Sequence, residues 1–378
     1  MVLRSQAGAG LLTPSAVRAL ARQLDLRPVK HLGQNFVVDP GIVRRIVATA
    51  RLTPGERVVE IGPGLGSLTL GLLEAGASVV AIEIDPVLAA ALPTTVAAFT
   101  GETPPSPSPV DDAAPPVPSH SPSPAQPTTL RAAPPAAPFT VVEADALEVR
   151  ELPGPAASSL VANLPYSVAT KVLLRFMERF DSIQRALVMV QAEVAARLVA
   201  PPGSRTYGVP SAKLAWWAEA RLAGRVPRNA FFPVPRVDSE LIYLERRQPP
   251  GPPELRSQVF CLIDAAFASR RKTLRAALAG VAGGAGRAAA ALRRAGIDPS
   301  ARGETLDVAA FARLAGELAA GPVAGDPDRP TGQGAAIVAG GDLGRAAGRG
   351  VETASEVLKS AAAEDLAGPA RAGADGNG

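Results

Sequence analysis

Asn163, Leu164, Pro165 and Tyr166 follow directly on an apolar run, residues 159–162, that reads as a buried strand. The tetrapeptide brings an amide, a rigid carbonyl-bearing backbone and an aromatic face to one strand end, the parts needed to hold a planar base that carries an amine. An adenine amine is a poor nucleophile because its lone pair is delocalised into the ring. Accepting its N–H groups on the Asn163 side-chain oxygen and on the carbonyl of Leu164 or Pro165 would shift electron density toward nitrogen, with Tyr166 stacked on the base. The same four residues also fit a proline turn with a capping asparagine and a core tyrosine, so their meaning depends on the rest of the chain.

Upstream, Gly62, Gly64 and Gly66 follow a strand-like run at 57–61 and open a helix. Glycines there let a ligand approach the backbone closely at the carboxyl ends of the strands. The spacing is G-x-G-x-G, and the dinucleotide fingerprint would need glycine where Ser67 stands. A second strand ends in Glu83, where a carboxylate can accept both hydroxyls of a ribose. Glu60, just before the turn, is out of place beside a pyrophosphate. A nucleoside carrying a cationic sulfonium, S-adenosylmethionine, suits this acidic crevice better than NAD. Asp145, after a third strand, is placed either to accept from the adenine amine of that cofactor or to cap a turn. Further on, the prolines of the segment FFPVPRVDS (231–239) fix a loop in which one phenylalanine, expected to be Phe231, closes the other face of the target base, as stacking enzymes do; the alternative is that Phe231 and Phe232 both pack in the core. Methyl transfer is governed by positioning and charge, so neither metal nor histidine is required.

These residues need a scaffold that brings strand ends together. Runs at 57–61, 78–84, 139–143, 159–163 and 186–190 are short, β-branched and nearly continuous in apolar residues, as in parallel strands buried on both faces. Helical segments at 69–75, 86–91, 169–179 and 193–199 separate them, and the alternation predicts a doubly wound α/β sheet. Asp39 followed by Pro40 reads as an N-cap with proline at the first helical position. After Pro253 the pattern turns wholly helical, which predicts a small all-α C-terminal domain.

Composition bounds the rest. The 378 residues are 47% hydrophobic, enough for a substantial core, and no stretch approaches a membrane span or a secretory signal; a cytoplasmic protein is expected. With one cysteine, Cys261, and two histidines, His31 and His120, a disulfide framework or a zinc site is not expected, and Cys261 reads as a small core residue. Residues 101–138 hold 13 prolines and no aromatic residue, a composition that cannot build a packed core, so they read as a disordered insert within one domain. The net charge is only +4, but residues 171–320 carry 23 Lys and Arg against 13 Asp and Glu, which suits a polyanion docking on one side.

The chain resembles the small-subunit (16S) ribosomal RNA adenine N6-dimethyltransferase family. The resemblance rests on LGQNF (32–36), VVEIGPGLGSLT (58–69), AIEID (81–85), EADAL (143–147), NLPYSVATKVL (163–173), TYG (206–208), FFPVPRVDS (231–239) and RRKTLR (270–275). It implies a Rossmann-like class I S-adenosylmethionine-dependent methyltransferase domain over 28–248 and a helical RNA-docking domain over 249–320; residues 1–27 read as an N-terminal extension, and the Gly/Ala-rich composition of 321–378, where the chain departs from the family, as a disordered tail. It further implies that Asn35, Val37, Gly62, Glu83, Asp145 and Asn163 contact the methyl donor, Asn163 also facing the target amine, with Val37 standing where leucine is usual; with the stacking residues read above, Asn163, Tyr166 and Phe231 are expected to hold the target. Arg270, Arg271, Lys272 and Arg275 would neutralise RNA phosphates. The implied activity is dimethylation of two adjacent adenosines in the 3′-terminal hairpin loop of small-subunit ribosomal RNA by a monomer acting on a 30S assembly intermediate. Two rivals share these motifs: a large-subunit ribosomal RNA methyltransferase conferring antibiotic resistance, and an assembly factor that binds without needing turnover.

Overall fold

The computed structural model describes residues 10–26, 35–101, 138–165 and 168–320. Two compact units divide the chain, Met1–Asp326 and Pro327–Gly378, and the second lies wholly outside the described residues. Also outside them are the expected insert at 101–138 apart from its end residues, the expected tail at 321–378, and Tyr166.

Nine strands are present among the described residues: β1 (Phe36–Val37), β2 (Arg57–Ile61), β3 (Ser78–Glu83), β4 (Phe139–Glu143), β5 (Ser159–Asn163), β6 (Arg185–Gln191), β7 (Ala218–Val226), β8 (Phe231–Phe232) and β9 (Ser239–Arg246). The helices are α1 (Pro14–Gln23), α2 (Pro40–Ala50), α3 (Ser67–Glu74), α4 (Pro86–Thr100), α5 (Ala169–Arg179), α6 (Ala192–Leu198), α7 (Val209–Leu214), α8 (Arg256–Phe267), α9 (Leu274–Ala277), α10 (Ala279–Ala282), α11 (Ala285–Arg294) and α12 (Val308–Ala319). Seven strands form one sheet in the order β4-β3-β2-β5-β6-β9-β7, and the two-residue strands β1 and β8 pair antiparallel beside it. From β4 to β6 the strands are parallel, while β9 runs antiparallel to both neighbours. The chain crosses to opposite sides of β2, with β3 on one side and β5 on the other, and a crevice opens at such a switch point.

The apolar strand runs carry this arrangement. Within β2, Val58 and Val59 are both fully buried, yet they belong to different apolar clusters because successive side chains point to opposite faces. One cluster gathers α1 to α4 on the Val58 face, and the other joins α5 and the C-terminal helices to the Val59 face. The helices α8 to α12 thus share a core with the sheet through Val259, Phe311 and their neighbours.

Local signals place most helices. Asp39 caps α2 by accepting from the N–H groups of Gly41 (2.7 Å) and Ile42 (3.1 Å), and Asp85 caps α4 in the same way. The helix expected at 86–91 continues to Thr100 through Pro93. Leu88, Leu92, Val96 and Phe99 are all buried on one cluster, and that burial outweighs the roughly 3 kcal/mol a helix-interior proline costs. Two further expectations are corrected. The run around 270–275 is not one continuous helix: α8 ends at Phe267, and turns and a bend carry Arg270, Arg271 and Lys272 before α9 begins at Leu274. Cys261 is exposed rather than in the core, because Val259, Leu262, Ile263 and Ala266 take the inward face of α8 and leave position 261 on the outer one.

Candidate active site

A cavity of about 190 Å³ lies at the carboxyl ends of β2 to β5. Asn35, Val37, Glu60, Gly62, Glu83, Asp145 and Asn163 all line it, so six expected donor-binding positions scattered over 129 residues of sequence converge there with the acid at 60. The turn from β2 to α3 forms one wall. Gly62, Gly64 and Gly66 have φ of +68°, +58° and +91°, the left-handed region that disfavours side chains. A Cβ at Gly64 would lie 2.8 Å from the Phe36 ring, so glycine there lets β1 close against the turn.

Glu83 is buried and ties that turn to its own strand. One carboxylate oxygen accepts from the Gly64 N–H at 3.0 Å, and the other from the Asp85 N–H at 3.0 Å. Burial raises its pKa, against the lowering effect of these backbone bonds. Glu60 lies deeper, 1% exposed, and accepts from the Thr69 hydroxyl at 2.7 Å. Burial, reinforced by the nearby Glu83 charge, lifts its pKa to about 8. Burial thus favours the protonated form of Glu60, where the sequence implied a plain carboxylate. Asp145 accepts from the Leu147 N–H at 2.9 Å through one oxygen, so it does cap a turn while also lining the cavity.

At the end of β5, the Asn163 amide nitrogen donates to the Asn35 carbonyl at 2.9 Å. This bond fixes which end of the amide is the donor and leaves the side-chain oxygen as an acceptor at the cavity. The structure also separates the two candidate carbonyls. Pro165 accepts from the N–H groups of Val168 (3.2 Å) and Ala169 (3.0 Å) at the start of α5, so its carbonyl is engaged, whereas among the described residues that of Leu164 has no backbone partner. The position of Tyr166 as a stacking ring lies outside the described residues.

Phe231 does not line the cavity. It sits opposite Val37 in the β1–β8 pair, is 2% exposed and belongs to the apolar cluster around α1 and α2, while Phe232 is only partly buried, with Arg18 stacked over its ring. The reason is the period of two in β8, which turns adjacent side chains to opposite sides. Of the four basic residues near 270, all are exposed, but Arg270 donates to the carbonyls of Tyr207 (2.6 Å) and Arg205 (3.3 Å), clamping the TYG segment. Three residues escaped the sequence reading. Ile84 lines the cavity while 53% exposed, Phe36 closes on Gly64, and the Ser67 hydroxyl is buried at the cavity without a hydrogen-bond partner. Only Ser67 left a trace, as the residue occupying a dinucleotide-fingerprint glycine position.

A model of the family described as ribosomal RNA adenine dimethylase matches residues 27–103 and 128–320. The chain belongs to the ribosomal RNA adenine dimethylase family. This dimethylase is 55% identical over 330 residues to "Ribosomal RNA small subunit methyltransferase A" of Kineococcus radiotolerans, covering 86% of this chain and 99% of that one. It is 53% identical over 315 residues to the protein of the same name from Thermobifida fusca, covering 83% and 99%. Among solved structures, it is similar in fold to a dimethyladenosine transferase from Plasmodium falciparum (TM-score 0.54, 20% identity, 73% of this chain and 94% of that one). The 23S rRNA methyltransferase ErmE shows comparable likeness (TM-score 0.51, 23% identity, 75% and 99%). The family match omits residues 104–127, inside the proline-rich stretch.

Proposed function

We propose that the protein dimethylates N6 of two adjacent adenosines in the 3′-terminal hairpin loop of small-subunit ribosomal RNA, using S-adenosylmethionine. In this reading it works as a cytoplasmic monomer on an assembling 30S particle. The observation that carries the chemistry is the pair of acceptors at the end of β5. Asn35 takes the Asn163 amide nitrogen and α5 takes the Pro165 carbonyl, which leaves the Asn163 oxygen and, among the described residues, the Leu164 carbonyl as the acceptors. Two such acceptors match the two N–H groups of an adenine amine.

The residues present fit the methyl donor. Positive-φ glycines give backbone access, Glu83 and Asp145 supply acceptors on a second and a third strand end, the exposed Ile84 offers an apolar face, and the buried Ser67 hydroxyl lacks a partner that a polar ligand group would provide. When bound, S-adenosylmethionine supplies an electrophilic methyl group on a sulfonium. Gly62, Glu83 and Asp145 would hold its nucleoside, Asn35 and Val37 the side facing β1. Asn163 and Leu164 draw electron density toward the target nitrogen and orient it, with Tyr166 covering the base; Phe231 supports β1 from behind as an apolar anchor. Arg271, Lys272 and Arg275 would meet RNA phosphates.

The curated relatives named for the small subunit favour that substrate over the large-subunit one. The test is methyl transfer by the purified protein to 30S particles from cells lacking it, read by mass spectrometry of the RNA. Dimethyladenosine in small-subunit RNA is expected, with Asn163→Ala slower by about a hundredfold or more. Unchanged methylation by that variant would sink the mechanism, and product confined to large-subunit RNA would sink the substrate. If Asn163→Ala still restores particle assembly in cells, the binding role dominates.

A further inference from the structure

A second groove lies away from the cavity, between α2 and the edge strand β7, lined by Arg45, Ala48, Thr49, Arg51, Arg221 and Ala223. Arg51 and Arg221 stack over the same buried ring, that of Tyr243 on β9, with guanidinium carbons 5.8 Å and 4.5 Å from its centroid. Arg45 closes the rim by donating to the carbonyl of Arg225. Among the described residues no carboxylate pairs with any of these three arginines. The acids Glu74, Glu240 and Asp238 pair with Arg44, Arg225 and Arg228, while exposed Glu219 and Glu245, two positions from Arg221 and Tyr243 on the same sheet face, bound the groove at the end farthest from β8.

Three guanidiniums that lack a carboxylate partner among the described residues share one open groove, which favours an anion. The Tyr243 ring holds the guanidiniums of Arg51 and Arg221 close to one another in the groove, and paired guanidiniums suit phosphate oxygens. The strand also has a direction: β7 runs on through Arg225 and Arg228 to β8, which pairs with the cavity-lining β1. At about 3.3 Å per residue, Arg221 lies roughly 17 Å along β7 from the end that leads on to β8. We propose that this groove binds backbone phosphates in the stem of the same RNA whose loop enters the cavity, which rests on the RNA-methylating function proposed above. Charge on an edge strand also discourages sheet extension, and that role alone would leave RNA binding untouched.

The experiment uses the full chain with 30S particles from cells lacking this protein. Removing the charge in R51Q/R221Q should raise KM for the particle about tenfold near 0.1 M salt and lower the slope of log affinity against log salt by about one to two. The charge-conserving R51K/R221K should recover most of both, with kcat, donor affinity and melting temperature near wild type in each. If the double variant melts early, R45Q gives the same readout from the groove rim. Wild-type KM and slope in R51Q/R221Q or R45Q would overturn the proposal. Failure of wild-type protein to methylate the particle at all would instead fall on the function itself, and the groove proposal would go with it.

Discussion

Asn163 does two jobs with one amide, holding the backbone of Asn35 through its nitrogen and offering its oxygen to the cavity. Asn163→Asp therefore keeps an acceptor but loses the donor, and it should loosen β1 as well as the base site. Gly64 is a second residue whose type is dictated locally. Gly64→Ala combines φ of +58° with a 2.8 Å approach to Phe36; the strain is about 1–2 kcal/mol, and calorimetry should show donor affinity reduced about tenfold. Glu60 makes a pH-dependent prediction. Its pKa is raised to about 8, so the cavity binds a cationic donor better once that acid ionises, and donor binding must release a proton. S-adenosylmethionine should bind more tightly as pH rises through about 8, whereas uncharged S-adenosylhomocysteine should not, and Glu60→Gln should abolish the difference. Equal pH profiles for the two ligands in the wild type would refute the coupling.

At the scale of elements, the end of the sheet opposite the cavity is held by Glu56. Its carboxylate pairs with Arg185 of β6 at 2.8 Å and accepts from Ser158, Ser159 and Thr53. Burial alone would raise its pKa, but the hydrogen bonds prevail and hold it at about 2. A depressed folded-state pKa means its contribution is complete above about 4.5 and is lost as pH falls toward 2. Glu56→Gln should cost about 2–3 kcal/mol at neutral pH and flatten the acid limb of a denaturation series between those values. Tyr207, whose hydroxyl donates to the Leu306 carbonyl at 2.9 Å, links the TYG segment to the turn before α12. Tyr207→Phe should lower stability by about 1–2 kcal/mol in chemical denaturation. The buried strands β2, β3, β5 and β6 were legible because apolar runs of that length have few alternatives. Strand β7 was not: its AEARLAGRV run alternates weakly, carries a bulge between Leu222 and Gly224, and is mostly exposed at the sheet edge. The pair β1–β8 was equally hidden, since two residues hold no period.

Across the whole molecule, the family match skips residues 104–127, and the described chain resumes at Pro138, which leads into β4. Replacing 104–127 with a short Gly-Ser linker should leave methylation unchanged and the melting temperature equal or slightly higher, because shortening a loop lowers its closure entropy. A loss of activity would assign that insert a role. The basic excess of residues 171–320 was visible in composition alone, but its partition was not. Folding diverts Arg270, Arg185 and Arg246 into hydrogen bonds or ion pairs within the chain, while Arg221 has no carboxylate partner among the described residues. By itself the sequence determined the sheet class, the glycine turn, the acids at strand ends and the NLPY segment, since each depends on neighbours within a few positions. Only the tertiary structure decided that the Pro165 carbonyl is taken by α5, that Phe231 is buried, and that burial raises the pKa of Glu60. Those outcomes depend on hydrogen-bond competition and burial among segments distant in sequence, which residue type and spacing do not encode.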